Sequence, residues 1–488
     1  MSPTLGVLIG YLVVLAALAI WSRRETHSLS GYFLAGKKLP YWVVAFSANA
    51  TGESGWLLLG LTGMGYMIGA QAYWVLVGEI IGLTLSWVLI SRKLKKLGDD
   101  TDSITVPDVL AAKFEDRWHL IRGIAVVIIL LMVTTYVGAQ MIAAGKAFDS
   151  FTELNFNAGV AVGAVIIIAY TFVGGYKAVS YTDVVQGVLM LLGLLAVPAA
   201  AIYASGGFDG VASSLRAQDP GLLDMFAPLD LGTAGIIAIA SLAAIGLPFL
   251  GVPQMLIRYM SAASDEEVRK ARIVSLVVMF LFLGGAITAG VAGRALFPGL
   301  ADPETIFPTI ATNLFPSVLA GLLLVVVLSA IMSTVDSLLL LSSSAVVRDT
   351  MQKIVGSRKS DEQLSNWGKV VTILIGFLGI AIAAPDLLGL PEPPPQEERK
   401  IFWFVLFSWS GLGASFGPTI LGLLYCKKIT RWGIVAGMLG GFLTSVIWVE
   451  LFKSDFHNLY EAIPGFAAGF ALTWGVSYLT WREPADQP

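Results

Sequence analysis

The chain has 488 residues, of which 56% are hydrophobic and only 13% are charged, and its mean hydropathy is +0.77. A soluble domain usually carries about a quarter charged residues, so this composition excludes an ordinary soluble protein and predicts an all-α polytopic membrane protein. The net charge of −3 says little about partners, and the single cysteine, Cys426, excludes a disulfide framework and a cysteine-based metal site.

Apolar runs of about 20 residues, each long enough to cross a hydrocarbon core, recur along the whole sequence. They predict about thirteen transmembrane helices, at 4–21, 41–68, 71–91, 121–147, 158–178, 181–204, 232–259, 272–297, 316–347, 368–385, 401–425, 431–452 and 460–480. The first run lacks the basic segment of a secretory signal and is interpreted as a retained helix. The short link at 178–182 is the least distinct boundary.

Basic residues fall unevenly on alternate loops of this topology. With the N-terminus outside, 25 of the 31 lysines and arginines lie on the cytoplasmic side, Lys177 and Arg258 among them, and 6 lie on the outer side. An excess of basic residues in cytoplasmic loops is the rule for membrane proteins. The distribution therefore predicts an outer N-terminus and a cytoplasmic C-terminus.

Two predicted spans contain helix-breaking residues. The second contains "NATGESG" (49–55) and the seventh contains "IGLPFLGVPQ" (245–254), and proline and glycine both disfavour a continuous helix. The two breaks are five spans apart, so each can open a five-helix unit, and an odd number of helices inverts the second unit relative to the first. Secondary transporters have this arrangement, although ordinary helix kinks remain an alternative.

Acidic residues within the spans are few, and each costs about 2.5–3.5 kcal/mol at the bilayer centre unless it is paired or hydrated. Ser333, Asp336 and Ser337 share one helix face because they are spaced i, i+3 and i+4. Their oxygen atoms suit a hard cation, with hydroxyl bonding between helices as the alternative. Asp183 is equally consistent with a helix-start carboxylate, and Glu79 with a pairing across helices.

The sequence contains no phosphate-binding loop, no HExxH motif and no nucleophile elbow, so we expect a protein that is not an enzyme. Any uphill transport would then draw its energy from an ion gradient.

Several segments together resemble the sodium:solute symporter family, and most closely its bacterial sodium/proline members. They are "SGWLLLGLTG" (54–63), "FVGGYKAVSYTDVVQGVLM" (172–190), "RYMSAASDEEVRKARIVS" (258–275), "LSAIMSTVDSLLLLSSSAVVRD" (328–349) and "SWSGLGASFGPTIL" (408–421). The resemblance implies a LeuT-like core of two inverted five-helix repeats, at 36–230 and 231–427. One extra helix precedes the core at 1–35, and two helices follow it at 428–488.

The resemblance also implies a function and its sites. The implied function is sodium-coupled uptake of a small organic solute, an amino acid such as proline, across the bacterial cytoplasmic membrane. The main sodium site would comprise the carbonyls of Ala50, Glu53 and Ala330 with the hydroxyls of Ser333 and Thr334. A second sodium site would comprise Asp183, Ser333, Asp336 and Ser337. The substrate site would comprise Ser54, Trp56, Gly60, Tyr136, Gln140, Ile245, Phe249, Pro253 and Trp409.

The sequence departs from the proline-transporting pattern at these sites. Those members read "ASDMSGW" where this chain reads "ATGESGW", so their aspartate corresponds to Gly52 and a new carboxylate follows at Glu53. Ile245 and Phe249 stand for a tryptophan and a tyrosine, and Asp336 stands for a serine. A sugar, a monocarboxylate or another zwitterion is therefore an alternative substrate, and a transporter-like sensor or channel is an alternative class. We expect lipid and a small solute as partners, no nucleic acid, no organic cofactor and a functional monomer.

Overall fold

The computed structural model describes residues 3–22, 28–114, 116–171, 175–391 and 400–482. Within these ranges the chain is almost entirely helical. We number the α-helices in chain order: α1 Pro3–Ser22, α2 Leu29–Leu34, α3 Tyr41–Gly52, α4 Thr62–Ile68, α5 Tyr73–Leu85, α6 Arg92–Asp100, α7 Val106–Ala112, α8 Leu120–Phe151, α9 Phe156–Thr171, α10 Tyr176–Ala204, α11 Gly207–Gln218, α12 Thr233–Ala243, α13 Pro253–Ser261, α14 Asp265–Leu296, α15 Ile306–Leu314, α16 Ser317–Ser344, α17 Asp361–Ala383, α18 Ile401–Tyr425, α19 Arg431–Ile447 and α20 Ala462–Thr480.

Ten helical stretches of the described residues are long and apolar enough to cross a membrane, and Thr4–Leu18 and Phe156–Ala169 are shorter apolar helices. The all-α polytopic class predicted from composition is thereby confirmed, while the number of thirteen spans stays a prediction. The longest stretch, Trp56–Asp100, is 45 residues. It contains the second half of the predicted span 41–68 and the whole of 71–91, because the turn at Gly69–Ala72 stays helical.

Several predicted boundaries were wrong, because hydropathy marks a membrane crossing and not the end of a helix. The link placed at 178–182 does not exist, since α10 begins at Tyr176 and carries Asp183 two turns inside it. The third span continues through α6 to Asp100, beyond the predicted end at 91. The tenth begins at Asp361, where Ser360 and Gln363 form a capping box.

Both predicted helix breaks are confirmed. Helix α3 ends at Gly52, Glu53 has φ −108° and ψ 63°, and a wide π-helical turn, Trp56–Leu61, leads into α4. In the seventh span α12 is followed by a tight 3₁₀ segment, Ala244–Leu250, and an extended Val252. Pro253 then begins α13 at the first helical position, where its missing N–H costs nothing.

Glycines allow the second break to pack directly against backbone on two sides. A Cβ atom on Gly82 of α5 would overlap the carbonyl oxygen of Gly246, and one on Gly251 would overlap the backbone of Gly417 in α18. Only glycine permits such close approach of two backbones. The 3₁₀ segment Ala244–Leu250 is therefore held between α5 and α18.

Candidate functional site

The end of α3 is bonded to hydroxyl groups of α16. Ser333 Oγ donates to the carbonyl oxygen of Ala50 at 2.8 Å and lies 3.1 Å from that of Ala330. Thr334 Oγ1 donates to the carbonyl oxygen of Thr51 at 3.1 Å. Four of the five residues predicted for the main sodium site thus lie together, next to Glu53 at the break. Thr51, which the sequence did not single out, takes part in the same contact between α3 and α16.

Asp183, predicted for a second cation site, is bonded instead to a buried arginine. Arg258 Nη2 lies 3.3 Å from Asp183 Oδ2 and donates to Thr51 Oγ1 at 2.7 Å and to Ser337 Oγ. Ser47 Oγ also donates to Asp183 Oδ2, at 2.6 Å. The guanidinium therefore stands between Asp183 and Ser337, where the prediction placed sodium.

The assignment of Arg258 to a loop was wrong, while its cytoplasmic side stays a prediction. The residue lies in α13 and is 1% exposed, and its Nη1 donates to the carbonyl oxygen of Gln254 at 2.8 Å. A positive charge is tolerated there because Asp183 and three hydroxyls surround it. Lys177, likewise assigned to a loop, lies in the first turn of α10.

Asp336 lies on the side of α16 that faces Tyr11 of α1. The Tyr11 hydroxyl is within electrostatic reach of both Asp336 and Asp183, and it accepts hydrogen bonds from Gln186 Nε2 at 3.0 Å and Ser329 Oγ at 3.2 Å. The structure therefore brings Asp183, Asp336 and Ser337 into one buried polar region.

Helix α8 holds the first break in place. Gln140 Oε1 accepts the N–H of Gly55 at 3.0 Å, and its Nε2 donates to Ser54 Oγ at 3.1 Å. Tyr136 donates to the same Ser54 oxygen at 3.2 Å. These bonds replace the backbone bonds that the unwound residues cannot make within a helix, and they confirm that Ser54, Tyr136 and Gln140 are neighbours.

A small cavity lies beside this break, with about 10 Å³ open to a water-sized molecule. It is lined by Gly52, Trp56, Glu79, Tyr136, Val405, Leu406 and Trp409. Behind this lining, Phe402 stacks on Trp56 with ring centroids 5.4 Å apart, and Phe249 meets the Trp409 ring edge-on at 5.2 Å. Three predicted substrate residues, Trp56, Tyr136 and Trp409, thus share one cavity.

The other predicted substrate residues lie outside that lining. Gly60 packs against the backbone of Phe402, Ile245 is buried in the 3₁₀ segment, and Pro253 begins α13. Phe249 lies behind the lining, where its ring meets Trp409 edge-on and packs next to Gly52.

Glu79 of α5, for which the sequence favoured no specific role, lies on the wall of this cavity. Its carboxyl group lies close enough to that of Glu53 for the two groups to interact electrostatically, while the pairing across helices considered for Glu79 stays a prediction. Both residues are at most 2% exposed. Both oxygens of Glu53 and Oε2 of Glu79 have no donor among the described residues.

A second buried ionic cluster joins α8 to the start of α18. Lys146 Nζ lies 2.7 Å from Asp302 Oδ2 and 2.7 Å from Glu304 Oε2. Lys400 Nζ lies 3.0 Å from Asp302 Oδ1. Burial alone would raise the pKa of Asp302, but the two lysines outweigh it and hold that pKa below its ordinary value of 3.8.

Glu304 also caps α18. Its carboxylate oxygens accept the N–H groups of Ile401 at 3.1 Å and Phe402 at 3.0 Å, which are among the unpaired donors of the first helical turn. The ring of Phe402 in turn stacks on Trp56. The cluster is thereby connected to the wall of the cavity.

Comparison with known proteins shows which family this chain resembles. The profile of the sodium:solute symporter family matches residues 32–441. The high-affinity proline transporter PutP of Bacillus subtilis is 34% identical over 468 residues, which cover 95% of each chain. The sodium/proline symporter of Escherichia coli is 32% identical over 477 residues, covering 96% of this chain and 91% of that protein.

Solved structures show the same fold at lower sequence identity. A Na⁺-coupled sialic acid symporter in a substrate-bound, outward-open state aligns over the full length of both chains with a TM-score of 0.81 and 18% identity. The nucleobase-cation symporter Mhp1 aligns over 95% of this chain and 97% of its own with a TM-score of 0.56 and 13% identity. The helical core expected from the two breaks is thereby confirmed as a transporter fold of the LeuT type. On the family profile and the full-length relatives, the chain belongs to the sodium:solute symporter family.

Proposed function

We propose that this symporter takes up a small amino acid, with proline as the first candidate, together with sodium across the bacterial cytoplasmic membrane. The observation that carries the proposal is the meeting of the α3 break with the hydroxyls of α16 beside an aromatic cavity. Hydroxyl and carbonyl oxygens suit a hard cation. The names of the relatives, which are proline transporters, support the choice of substrate.

The proposed main sodium site comprises the carbonyl oxygens of Ala50, Glu53 and Ala330 with the hydroxyls of Ser333 and Thr334. The short distances between Ser333 and the carbonyls of Ala50 and Ala330 support it. A sodium ion at this position would join α3 to α16. A conformation in which both helices supply ligands would therefore be stabilised by sodium, which is the basis of coupling.

The proposed second sodium site comprises Asp183, Ser333, Asp336 and Ser337. Sodium can enter it only if Arg258 withdraws from Asp183 and Ser337, because the guanidinium contacts both. Charge moved per substrate in proteoliposomes tests this site. One charge moved per substrate in both the wild type and Asp336→Asn would count against the second site.

The proposed substrate site is the cavity lined by Trp56, Tyr136 and Trp409, with Ser54 and Gln140 behind it. Gly60, Ile245, Phe249 and Pro253 would shape its surroundings. Only about 10 Å³ of the cavity is open to a water-sized molecule, roughly the space that one water needs. The side chains around the cavity would therefore have to move apart to admit a small solute.

We propose that transport proceeds by alternating access between the repeats 36–230 and 231–427, with 1–35 and 428–488 as additional segments. The N-terminus would lie outside and the C-terminus in the cytoplasm, as the distribution of basic residues indicates. The monomer would suffice for transport, with sodium as the coupling ion, and without an organic cofactor or a nucleic acid.

Uptake of radiolabelled proline into proteoliposomes, driven by a sodium gradient, tests the proposed function. Ser333→Ala and Thr334→Ala should each raise the sodium concentration for half-maximal uptake. Ser342→Ala is the matched control, because within the described part of the chain this buried serine of α16 bonds to the carbonyl of Leu338, one turn before it, and to no other group. Uptake driven by a pH gradient alone, without sodium, would defeat the sodium assignment.

A channel would show neither saturable uptake nor counterflow with unlabelled solute. Saturable uptake together with counterflow would therefore exclude the channel, and the absence of both would favour it.

A further inference from the structure

We propose that Glu53 and Glu79 together bind the protonated amine of the substrate, so that the transporter selects solutes that carry a cationic nitrogen. This inference rests on the proposed function, because it assigns the substrate class of the same cavity. It separates amino acids and small amines from sugars and monocarboxylates. The two carboxyl groups come from α5 and from the α3 break, which are different helices.

The first argument is the unmatched hydrogen-bonding capacity of the pair. Both oxygens of Glu53 and Oε2 of Glu79 have no donor among the described residues, although both side chains are buried. Leaving a buried acceptor without a donor is costly. Trp56 Nε1, on the cavity wall, likewise has no hydrogen-bond partner among the described residues. Glu79 and Trp56 line the cavity itself, and Glu53 follows the lining residue Gly52, so a ligand there that brings donors and an acceptor would satisfy these atoms.

The second argument is charge. Two ionised carboxylates in contact repel each other strongly in a low-dielectric interior. The pair is therefore stable with one proton held between its two carboxyl groups. That proton uses only part of their hydrogen-bonding capacity, and the pair then carries one negative charge. A single ammonium or secondary amine cation neutralises that charge and can donate to the free oxygens.

The third argument is the nature of the cavity wall. Trp56, Tyr136 and Trp409 present aromatic rings, and Val405 and Leu406 present aliphatic groups. Aromatic faces attract organic cations, whereas sodium requires a shell of several oxygen ligands. None of the lining residues is basic, so the cavity offers no side-chain cation to a solute that has only a carboxylate.

The test measures binding to the purified full-length protein in detergent at saturating sodium, by calorimetry. The probes are the standard amino acids and pyrrolidine, with amine-free partners of similar shape: cyclopentanecarboxylate for proline and lactate for alanine. Glucose is added as a neutral solute. We expect amine-bearing probes to bind and their amine-free partners to fail.

The variants are Glu79→Gln and Glu53→Gln, which keep the shape of the side chain and remove its charge. Because a hydrogen bond to a charged group is the stronger kind, we expect each variant to bind the amine-bearing probe at least tenfold more weakly, as an order-of-magnitude estimate. Glu450→Gln is the matched control, since Glu450 is an exposed carboxylate near the end of another span. It should bind like the wild type.

Folding of each variant is checked by the temperature at which Cys426, the single and buried cysteine, reacts with a thiol dye. If one glutamine variant fails to fold, the other variant and the probe pairs on the wild type still decide the question.

The outcomes separate this inference from the proposed function. Sodium-dependent binding of lactate, cyclopentanecarboxylate or glucose as tight as that of the amines would overturn the inference and leave sodium symport intact. The inference would also be overturned if folded Glu79→Gln bound the amine-bearing probes as tightly as the wild type. The same holds if the variants lost only sodium affinity, measured without solute. Binding of no amine-bearing probe also overturns it, and absence of any sodium-dependent uptake defeats the proposed function itself.

Discussion

Replacing Lys146 by methionine should destabilise the protein by removing the cation of a buried cluster. The Lys146 side chain is 1% exposed, and its Nζ contacts Asp302 and Glu304 at 2.7 Å each. Methionine keeps the apolar stem and deletes only the charge. Two buried carboxylates then lose their common partner.

The magnitude follows from what each carboxylate keeps. Removing one member of a buried ion pair costs about 3–5 kcal/mol. Asp302 retains Lys400 at 3.0 Å, and Glu304 retains the two N–H groups at the start of α18. We therefore expect the low end of that range, about 3 kcal/mol.

The measurement is unfolding by SDS in mixed micelles, followed by reaction of a thiol dye with Cys426. The control is Lys270→Met, which removes the cation of an exposed pair: its Nζ lies 2.9 Å from Glu266, and the two side chains are 49% and 61% exposed. Such pairs contribute about 0–1 kcal/mol. A loss for Lys146→Met no larger than that of Lys270→Met would refute the reasoning. A double variant with Glu304→Gln should recover part of the loss.

Three further predictions concern the same assays. Arg258→Met should cost about 3–5 kcal/mol because it strands the buried Asp183, and adding Asp183→Asn should restore stability; no restoration would contradict the pairing. Gln140→Leu should lower stability by about 1–3 kcal/mol, because it leaves the buried N–H of Gly55 without an acceptor. It should also weaken solute binding, and an unchanged affinity would argue against a substrate site at this break. Because the pKa of Asp302 is held below 3.8, its stabilising contribution is complete above that pH and is lost as the pH falls through the lower, folded value. The unfolding free energy should therefore fall more steeply on acidification in the wild type than in Lys146→Met, and equal slopes would contradict the assignment.

The sequence was most informative where a local rule decides the structure. The glycines of "NATGESG" and the prolines around Gly251 predicted both helix breaks, because each residue acts on its own backbone. The helix face shared by Ser333, Asp336 and Ser337 was predictable for the same reason. Only the family resemblance indicated that Ser333 would meet the carbonyl of Ala50, since that contact joins positions 283 residues apart.

Glu79 shows what local rules leave open. A carboxylate on an apolar helix signals a partner, but its identity depends on which helix packs beside it. The sequence did contain a signal for close packing, because Gly78 and Gly82 form a G-x-x-x-G pattern around Glu79. These glycines pack on Ala243 and Gly246 of the seventh span. The neighbour at the α3 break was not specified by the pattern.

Arg258 links the two broken helices to each other and to α16. It follows the second break on α13, yet it bonds to Thr51 beside the first break and to Ser337 on α16. Thr51 and Ser337 each lie one turn or less from Ala50 and Ser333, which form the proposed main sodium site. A movement of α13 away from α16 must therefore break the Arg258 bonds, and it exposes Asp183 to whichever cation can replace the guanidinium. The two broken helices are thus joined through one side chain. Under the proposed mechanism, an ion that stabilises α3 against α16 would also oppose the release of α13.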